Sequence, residues 1–358
     1  MRAAHVIVAQ LLIGFTAATY VSAQTSHNSD GGKQLPIQED LSAQGPSGTL
    51  AGTLTLPAHG GPLPTETPVL LIVPGSGPTD RDGNSPLGVA AAPYRLLAQA
   101  LAERGYPSVR IDKRGMFGSA GATSDPNDVT IAAYGDDLLS WTNAIRERLP
   151  AKDGARCVVP VGHSEGGLVA LAAMARLPDP CGLILLASIG RPFDEVIREQ
   201  LRANPANAAY LEEADAALAS LKRGERVDAS ALNPTLQPLF APQIQGFLID
   251  AISYDPVELV AAVDVPMLVI QGTCDMQVSN ADARLLADAT PNAELELLPD
   301  VNHVLKSKIT WERELVRREA VGISDLPPPL PHPDHVLVDV RNGTIRIAGP
   351  ATKAEKAE

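Results

Sequence analysis

Short, unbroken apolar runs punctuate the chain. "PVLLIVP" (68–74), "CVVPV" (157–161), "GLILLAS" (182–188) and "PMLVIQG" (266–272) have the form of strands buried on both faces. "GTLAGTLTLP" (48–57) alternates and then stops at proline, as an early antiparallel strand does, and "PSVRID" (107–112) and "AELELLP" (293–299) supply two more strands. Between them the period changes to that of a helix. "PYRLLAQALAERGY" (93–106) ends at Gly105, "VTIAAYGDDLLSWTNAIRERL" (129–149) reads as a long amphipathic helix, and "EGGLVALAAMARL" (165–177) has the small residues that let a helix approach a sheet closely. Strands alternating with helices predict an α/β fold whose sheet is mostly parallel and covered on both faces.

One stretch breaks this rhythm. From Gly190 to about Asp255 there is no buried strand, only helical material such as "FDEVIREQLRANPANAAYLEEADAALASLKRGE". An ordinary crossover needs far fewer residues, so 190–255 is expected to be a helical cap inserted at the carboxyl edge of the sheet, where ligands bind in open α/β folds. The expected organisation is core over 46–189, cap over 190–255 and core again over 256–325. Residues 326–358 are expected to be a C-terminal extension, partly disordered, with a hairpin about Asn342-Gly343.

The first residues belong to export rather than to the fold. "MRAAHVIVAQLLIGFTAATYVSA" combines an early positive charge, an apolar stretch and small residues before Gln24, so 1–23 is expected to be a cleaved signal peptide. An uncleaved anchor is the alternative, but the apolar stretch is short for a bilayer span, and no stable membrane insertion is expected after cleavage. Residues 24–45 are polar and pattern-free and are expected to be a flexible leader. The net charge of −13, with no basic run, argues against nucleic acid as a partner. Export gives the three cysteines weight. If the strands after Cys157 and Cys181 are parallel neighbours, a bridge between them would close a loop of roughly 25 residues, worth about 3 kcal/mol in the chain-entropy model. Two buried free thiols are the alternative.

"CVVPVGHSEGG" (157–167) carries the chemistry. Gly162-His163-Ser164-Glu165-Gly166 satisfies G-x-S-x-G between a predicted strand and a predicted helix, the context that makes this short pattern informative. Glycines at 162 and 166 remove side chains that would clash in so tight a turn, and the Ser164 hydroxyl stands at a helix N-terminus. A serine needs a base. Of seven histidines, His5 leaves with the signal, His27 and His59 precede the core, and His332 and His335 lie in the proline-rich tail. His163 sits inside the turn and is expected to point away. His303, in "LLPDVNHVLK" after the last core strand, is the candidate base. Asp275, three residues beyond the strand ending at Gly272, is the candidate orienting carboxylate. Asp282, Asp264 and Asp300 are less well placed. The order serine, acid, histidine matches that of α/β-hydrolases. Backbone N–H groups of Ser76, in the glycine-rich loop "VPGSGPTDRDGN", and of Glu165 are the candidate oxyanion donors. No metal-ligand or phosphate-cradling motif appears, so no metal or cofactor is expected. "IDKRGMFGS" (111–119) offers Asp112 and Arg114 either to substrate or, more simply, as braces between loops.

With these motifs in place the sequence resembles the α/β-hydrolase superfamily from about Val69 to His303. Within it, "PGSGPTDRDGN", "LAERGYPSVRIDKRG", "GHSEGG", "YDPVELVAAVDVPMLVIQG" and "DVNHVLK" are similar to the bacterial serine aminopeptidase-like carboxylesterases, the EstD-like group. The resemblance implies an eight-stranded, mostly parallel sheet with a helical cap after strand 6. It also implies a Ser164–Asp275–His303 triad and hydrolysis of small-molecule carboxylic esters, mainly short-chain. The same triad would serve an aminopeptidase or acylaminoacyl peptidase, a thioesterase or a lysophospholipase. A non-catalytic binding protein on this scaffold is the alternative of another class. The family pattern ends in a helix, whereas "PDHVLVDVRNGTIRIAG" reads more like strands.

Overall fold

The apolar runs become a sheet because their alternate side chains serve two different cores. The computed structural model describes residues 35–58, 62–152 and 154–307, with two further strands at 338–341 and 344–347. Its strands are Ile37–Gln44 (β1), Thr49–Leu56 (β2), Val69–Val73 (β3), Ser108–Ile111 (β4), Val158–His163 (β5), Leu183–Leu186 (β6), Met267–Gly272 (β7) and Ala293–Leu298 (β8). They form one eight-stranded sheet in the order β1-β2-β4-β3-β5-β6-β7-β8. β1–β2 and β2–β4 pair antiparallel, and every later neighbour pair is parallel.

In β3 the side chains of Val69, Leu71 and Val73 join one buried cluster while Leu70 and Ile72 join the other. The same division runs through β6 and β7, with Leu183, Leu185, Met267 and Val269 on one face and Ile184, Leu186, Leu268 and Ile270 on the opposite one. That is why these strands read as continuous hydrophobic runs. Pro93–Glu103 (α1) covers one face through Tyr94, Ala98 and Leu101. Ile131–Arg148 (α2), Glu165–Met174 (α3) and Asn280–Asp288 cover the other through residues such as Trp141, Leu171 and Leu286.

The segment between β6 and β7 is helical: Phe193–Ala203 (α4), Leu211–Lys222 (α5), Gln245–Ile252 (α6) and Pro256–Ala261 (α7), followed in the core by Asn280–Asp288 (α8). Its buried residues, Phe193, Leu218, Phe240 and Leu248 among them, belong to the same cluster as Trp141 and Leu171, so the insertion shares the main core. Specific polar contacts fix it. Arg191 pairs with the buried Asp282 at 2.8 Å, and Asp250 in α6 accepts the backbone N–H of Ile131 at 2.7 Å, satisfying a free donor in the first turn of α2.

One expectation needs correction. Residues 24–45 were expected to be a flexible leader, but residues 37–44 are β1, paired with β2 along the full strand. The reason is that β1 is an edge strand with Ala43 as its one buried side chain, so backbone hydrogen bonds hold it and no hydrophobic period marks it. Near the other end, Val338–Arg341 (β9) and Thr344–Ile347 (β10) pair antiparallel with Arg341 opposite Thr344, where the sequence places a hairpin. Residues 1–34, including the expected signal peptide, and the position of the family's final helix lie outside the described residues. Among the described residues, no helix is long and apolar enough to cross a membrane.

Cys157 and Cys181 are joined by a disulfide, with Cα atoms 5.9 Å apart and a sequence separation of 24. The residues stand just before β5 and β6, so the bridge ties off the strand–helix–strand unit that contains Ser164. Replacing both by alanine is expected to lower the unfolding free energy by about 3 kcal/mol, read as a lower midpoint in urea. An unchanged midpoint would show that the bridge does not constrain the unfolded chain.

Candidate active site

Ser164 sits between the last residue of β5 and the first of α3, with φ 55° and ψ −122°. This is a region that side-chain-bearing residues rarely occupy, and holding one there costs about 1–3 kcal/mol. The surroundings impose it: Ser164 N donates to Leu186 O at 2.9 Å, and Gly167 N donates to Ser164 O at 3.0 Å. A Cβ on Gly162 would collide with the Gly166 carbonyl, and one on Gly166 with the carbonyls of Val73 and Pro74. The two glycines therefore let the turn close against β3.

Asp275 and His303 arrive from the next two strand ends. β7 stops at Gly272, and the following turn is closed on Asp275 itself: Oδ1 accepts the backbone N–H groups of Gln277 (2.8 Å) and Val278 (3.0 Å). Oδ2 accepts from His303 Nδ1 at 2.8 Å and from Gln271 Nε2 at 3.1 Å. Burial opposes a charge on Asp275, but the His303 contact and the two backbone donors outweigh it, and its carboxyl lies below the usual range. Accepting at Oδ2 places the His303 proton on Nδ1 and leaves Nε2 as a base. The His303 loop is stitched to the Asp275 loop by Cys274 N donating to Val301 O at 3.0 Å. Asp282 is engaged with Ser279 and Arg191 instead, in the cap of α8. Ser164 and His303 line one cavity.

His163 does not simply point away, as the sequence led us to expect. Its ring lies 4.8 Å from that of His303 and 5.5 Å from that of Tyr94. Nε2 meets the backbone oxygen of His303 at 2.8 Å, Nδ1 meets Tyr94 Oη at 2.8 Å, and Gly75 N donates to the same Tyr94 oxygen at 3.1 Å. A carbonyl can only accept, so His163 Nε2 carries the proton. Burial, and then the charge of His303, push the His163 imidazole down to about 3, so it is neutral and its Nδ1 accepts from Tyr94. One consistent direction of donation thus runs from the Gly75 loop through Tyr94 and His163 to the backbone of the candidate base. Nothing in the sequence marks Tyr94, whereas His163 had one signal: its place beside the serine.

Gly75 and Ser76 follow β3. Ser76 lines the cavity with Ser164, and its N–H has no acceptor among the described residues. Glu165 opens α3, where the first N–H groups have no acceptor within the helix. The "IDKRG" residues are braces. Asp112 accepts from Arg81 Nε at 3.0 Å and Gly118 N at 3.0 Å, Arg114 pairs with Asp137 at 2.7 Å, and Lys113 pairs with Glu165 at 2.9 Å. The cavity has an apolar wall from Ile189, Phe193, Val196 and Ile197, which follow β6, and from Val278 and Val304. No Asp, Glu, Lys or Arg is among the described residues that line it.

The family model described as serine aminopeptidase, S33, matches residues 87–307. The chain is 28% identical over 276 residues to the esterase EstD of Thermotoga maritima, covering 75% of this chain and 60% of that protein. It therefore spans less than two thirds of that relative's length. It is 29% identical over 273 residues to a putative carbamate hydrolase, RutD, of a Caulobacter species, covering 72% of this chain and 91% of that one. The solved structure of Est1E from Butyrivibrio proteoclasticus with ferulic acid bound is alike in fold, with a TM-score of 0.51 and 17% identity over 79% of this chain and 98% of that chain.

Two outcomes follow from the Tyr94–His163 contacts. Tyr94→Phe leaves a buried N–H and a buried ring nitrogen unpaired, and unfolding is expected to become easier by about 1–3 kcal/mol. For His163 the unfolded chain takes up a proton below about 6.5 while the folded protein resists until about 3, so its contribution is complete above the first value and is lost as pH falls towards the second. The stability gap between wild type and His163→Gln should therefore shrink by about 2 kcal/mol between pH 7.5 and pH 5. A gap that stays constant in urea titrations would contradict this.

Proposed function

Because the chain belongs to the serine aminopeptidase S33 family of α/β serine hydrolases, we propose that it is an exported carboxylesterase acting on small, uncharged esters. Ser164 is the nucleophile. His303 Nε2 takes its proton as Oγ attacks the ester carbonyl, and then gives that proton to the departing alcohol. Asp275, held ionised, stabilises the imidazolium that exists between those two steps. The N–H groups of Ser76 and Glu165 receive the oxyanion. Water, deprotonated by His303, releases the acid by the same route.

The observation that carries the choice of substrate is the cavity wall. An aminopeptidase must hold a substrate ammonium, and a buried cation without a counter-charge is costly. The described lining offers no carboxylate, while its apolar wall suits a short hydrocarbon chain. Glu165, the nearest acid in sequence, is already paired with Lys113. The Cys157–Cys181 bridge supports the export reading, since disulfides persist in oxidising compartments.

Ser164→Ala is expected to lower kcat on p-nitrophenyl esters by about 10³–10⁶-fold and to abolish labelling by a fluorophosphonate. Normal turnover by that variant would remove Ser164 from the reaction. Wild-type protein should cleave a short acyl ester faster than an aminoacyl anilide, and the reverse ranking would favour the peptidase.

A further inference from the structure

We propose that Lys113 is a positioning residue for the oxyanion site, acting through the Gly75–Ser76 peptide group and not on substrate. This rests on the hydrolase reading above. The side chains of Lys113 and Glu165 are 3% and 2% exposed, so the pair is removed from water. Lys113 Nζ donates to Glu165 Oε1 at 2.9 Å and to the Gly75 carbonyl at 2.7 Å, and lies 5.2 Å from the centre of the Tyr134 ring.

The Gly75 carbonyl and the Ser76 N–H are opposite ends of one planar peptide group, which is trans like every other among the described residues. Fixing the carbonyl towards Lys113 therefore turns the N–H to the opposite side, and the residue that bears it lines the cavity with Ser164. A cationic donor on the carbonyl oxygen also draws electron density from the amide nitrogen, which strengthens the N–H as a donor. The second partner of the same ammonium is the side chain of Glu165, whose backbone N–H is the other proposed donor. One ion pair thus joins the residues that bear the two N–H groups, and through Gly75 it sets the orientation of one of them. Stability alone is a poor reason for it, since a well-packed apolar pair often serves a buried site as well or better.

The test uses two charge-neutral double variants, so that neither leaves a lone buried ion. Lys113→Met/Glu165→Leu removes the donor to Gly75. Lys113→Gln/Glu165→Gln keeps an N–H donor at position 113. The first is expected to lose roughly 10- to 100-fold in kcat with little change in KM. Its affinity for an alkyl boronic acid, which forms a tetrahedral adduct on Ser164, should fall by the same factor. The Gln/Gln variant should recover part of both losses at an equal thermal midpoint. A folded Met/Leu variant with wild-type kcat and boronate affinity overturns the proposal, as does equal activity of the two variants. If Met/Leu does not fold, Gln/Gln is compared with wild type: equal falls in kcat and boronate affinity support the assignment, and any other result overturns it. Failure of the hydrolase reading is separate, because it appears as wild-type protein that no fluorophosphonate labels.

Discussion

Parallel strands share a direction, so the loops that follow them emerge on one edge of the sheet. β3, β5, β6, β7 and β8 obey this constraint, and they deliver Ser76, Ser164, Ile189, Asp275 and His303 respectively to a common rim. Nothing in the local sequence around any of these residues could bring them together. The sheet does so because β3, β5, β6 and β7 are apolar on two sides and must be covered by helices on both. The proposed site is therefore a consequence of burial, with its candidate residues placed where the strands stop.

At that rim, polar side chains fix the backbone. Tyr94 holds the N–H of Gly75 and Lys113 holds its carbonyl. His163 takes hold of the His303 backbone from beneath, and Asp275 orients its ring from the side. These contacts are buried or, for His303 and Asp275, partly so, and each donor has a defined acceptor, the condition under which a polar network adds rigidity instead of destabilising a core. The strained φ of Ser164 is kept by backbone bonds instead, its N–H donating to Leu186 O on β6 and its carbonyl accepting from Gly167 N.

How much of this could be read from the sequence depends on how each residue is held. β3, β6 and β7 were legible because burial on both faces leaves a composition that little else has. Ser164, Asp275 and His303 were legible as candidates because a glycine-flanked serine after a strand is chemically specific, and because the acid and the histidine follow strand ends in a familiar order. β1 was not legible: its partner is a backbone, and backbones leave no side-chain pattern. Tyr94 and His163 were hidden because their roles arise from hydrogen bonds spanning 69 and 140 residues, which no local period records. The charges of "IDKRG" were visible, but their partners were not. Asp137 and Glu165 lie on two different helices, at separations of 23 and 52 residues.

The insertion between β6 and β7 also separates the proposed nucleophile from its proposed acid and base along the polypeptide. A ribosome would finish Ser164 well over a hundred residues before His303, and the sheet cannot present the serine to its partners until β7 and β8 have been added. Until then the hydroxyl is an ordinary alcohol. A nascent chain of this design would hold the proposed site incomplete, and the site closes only once β8 is in place.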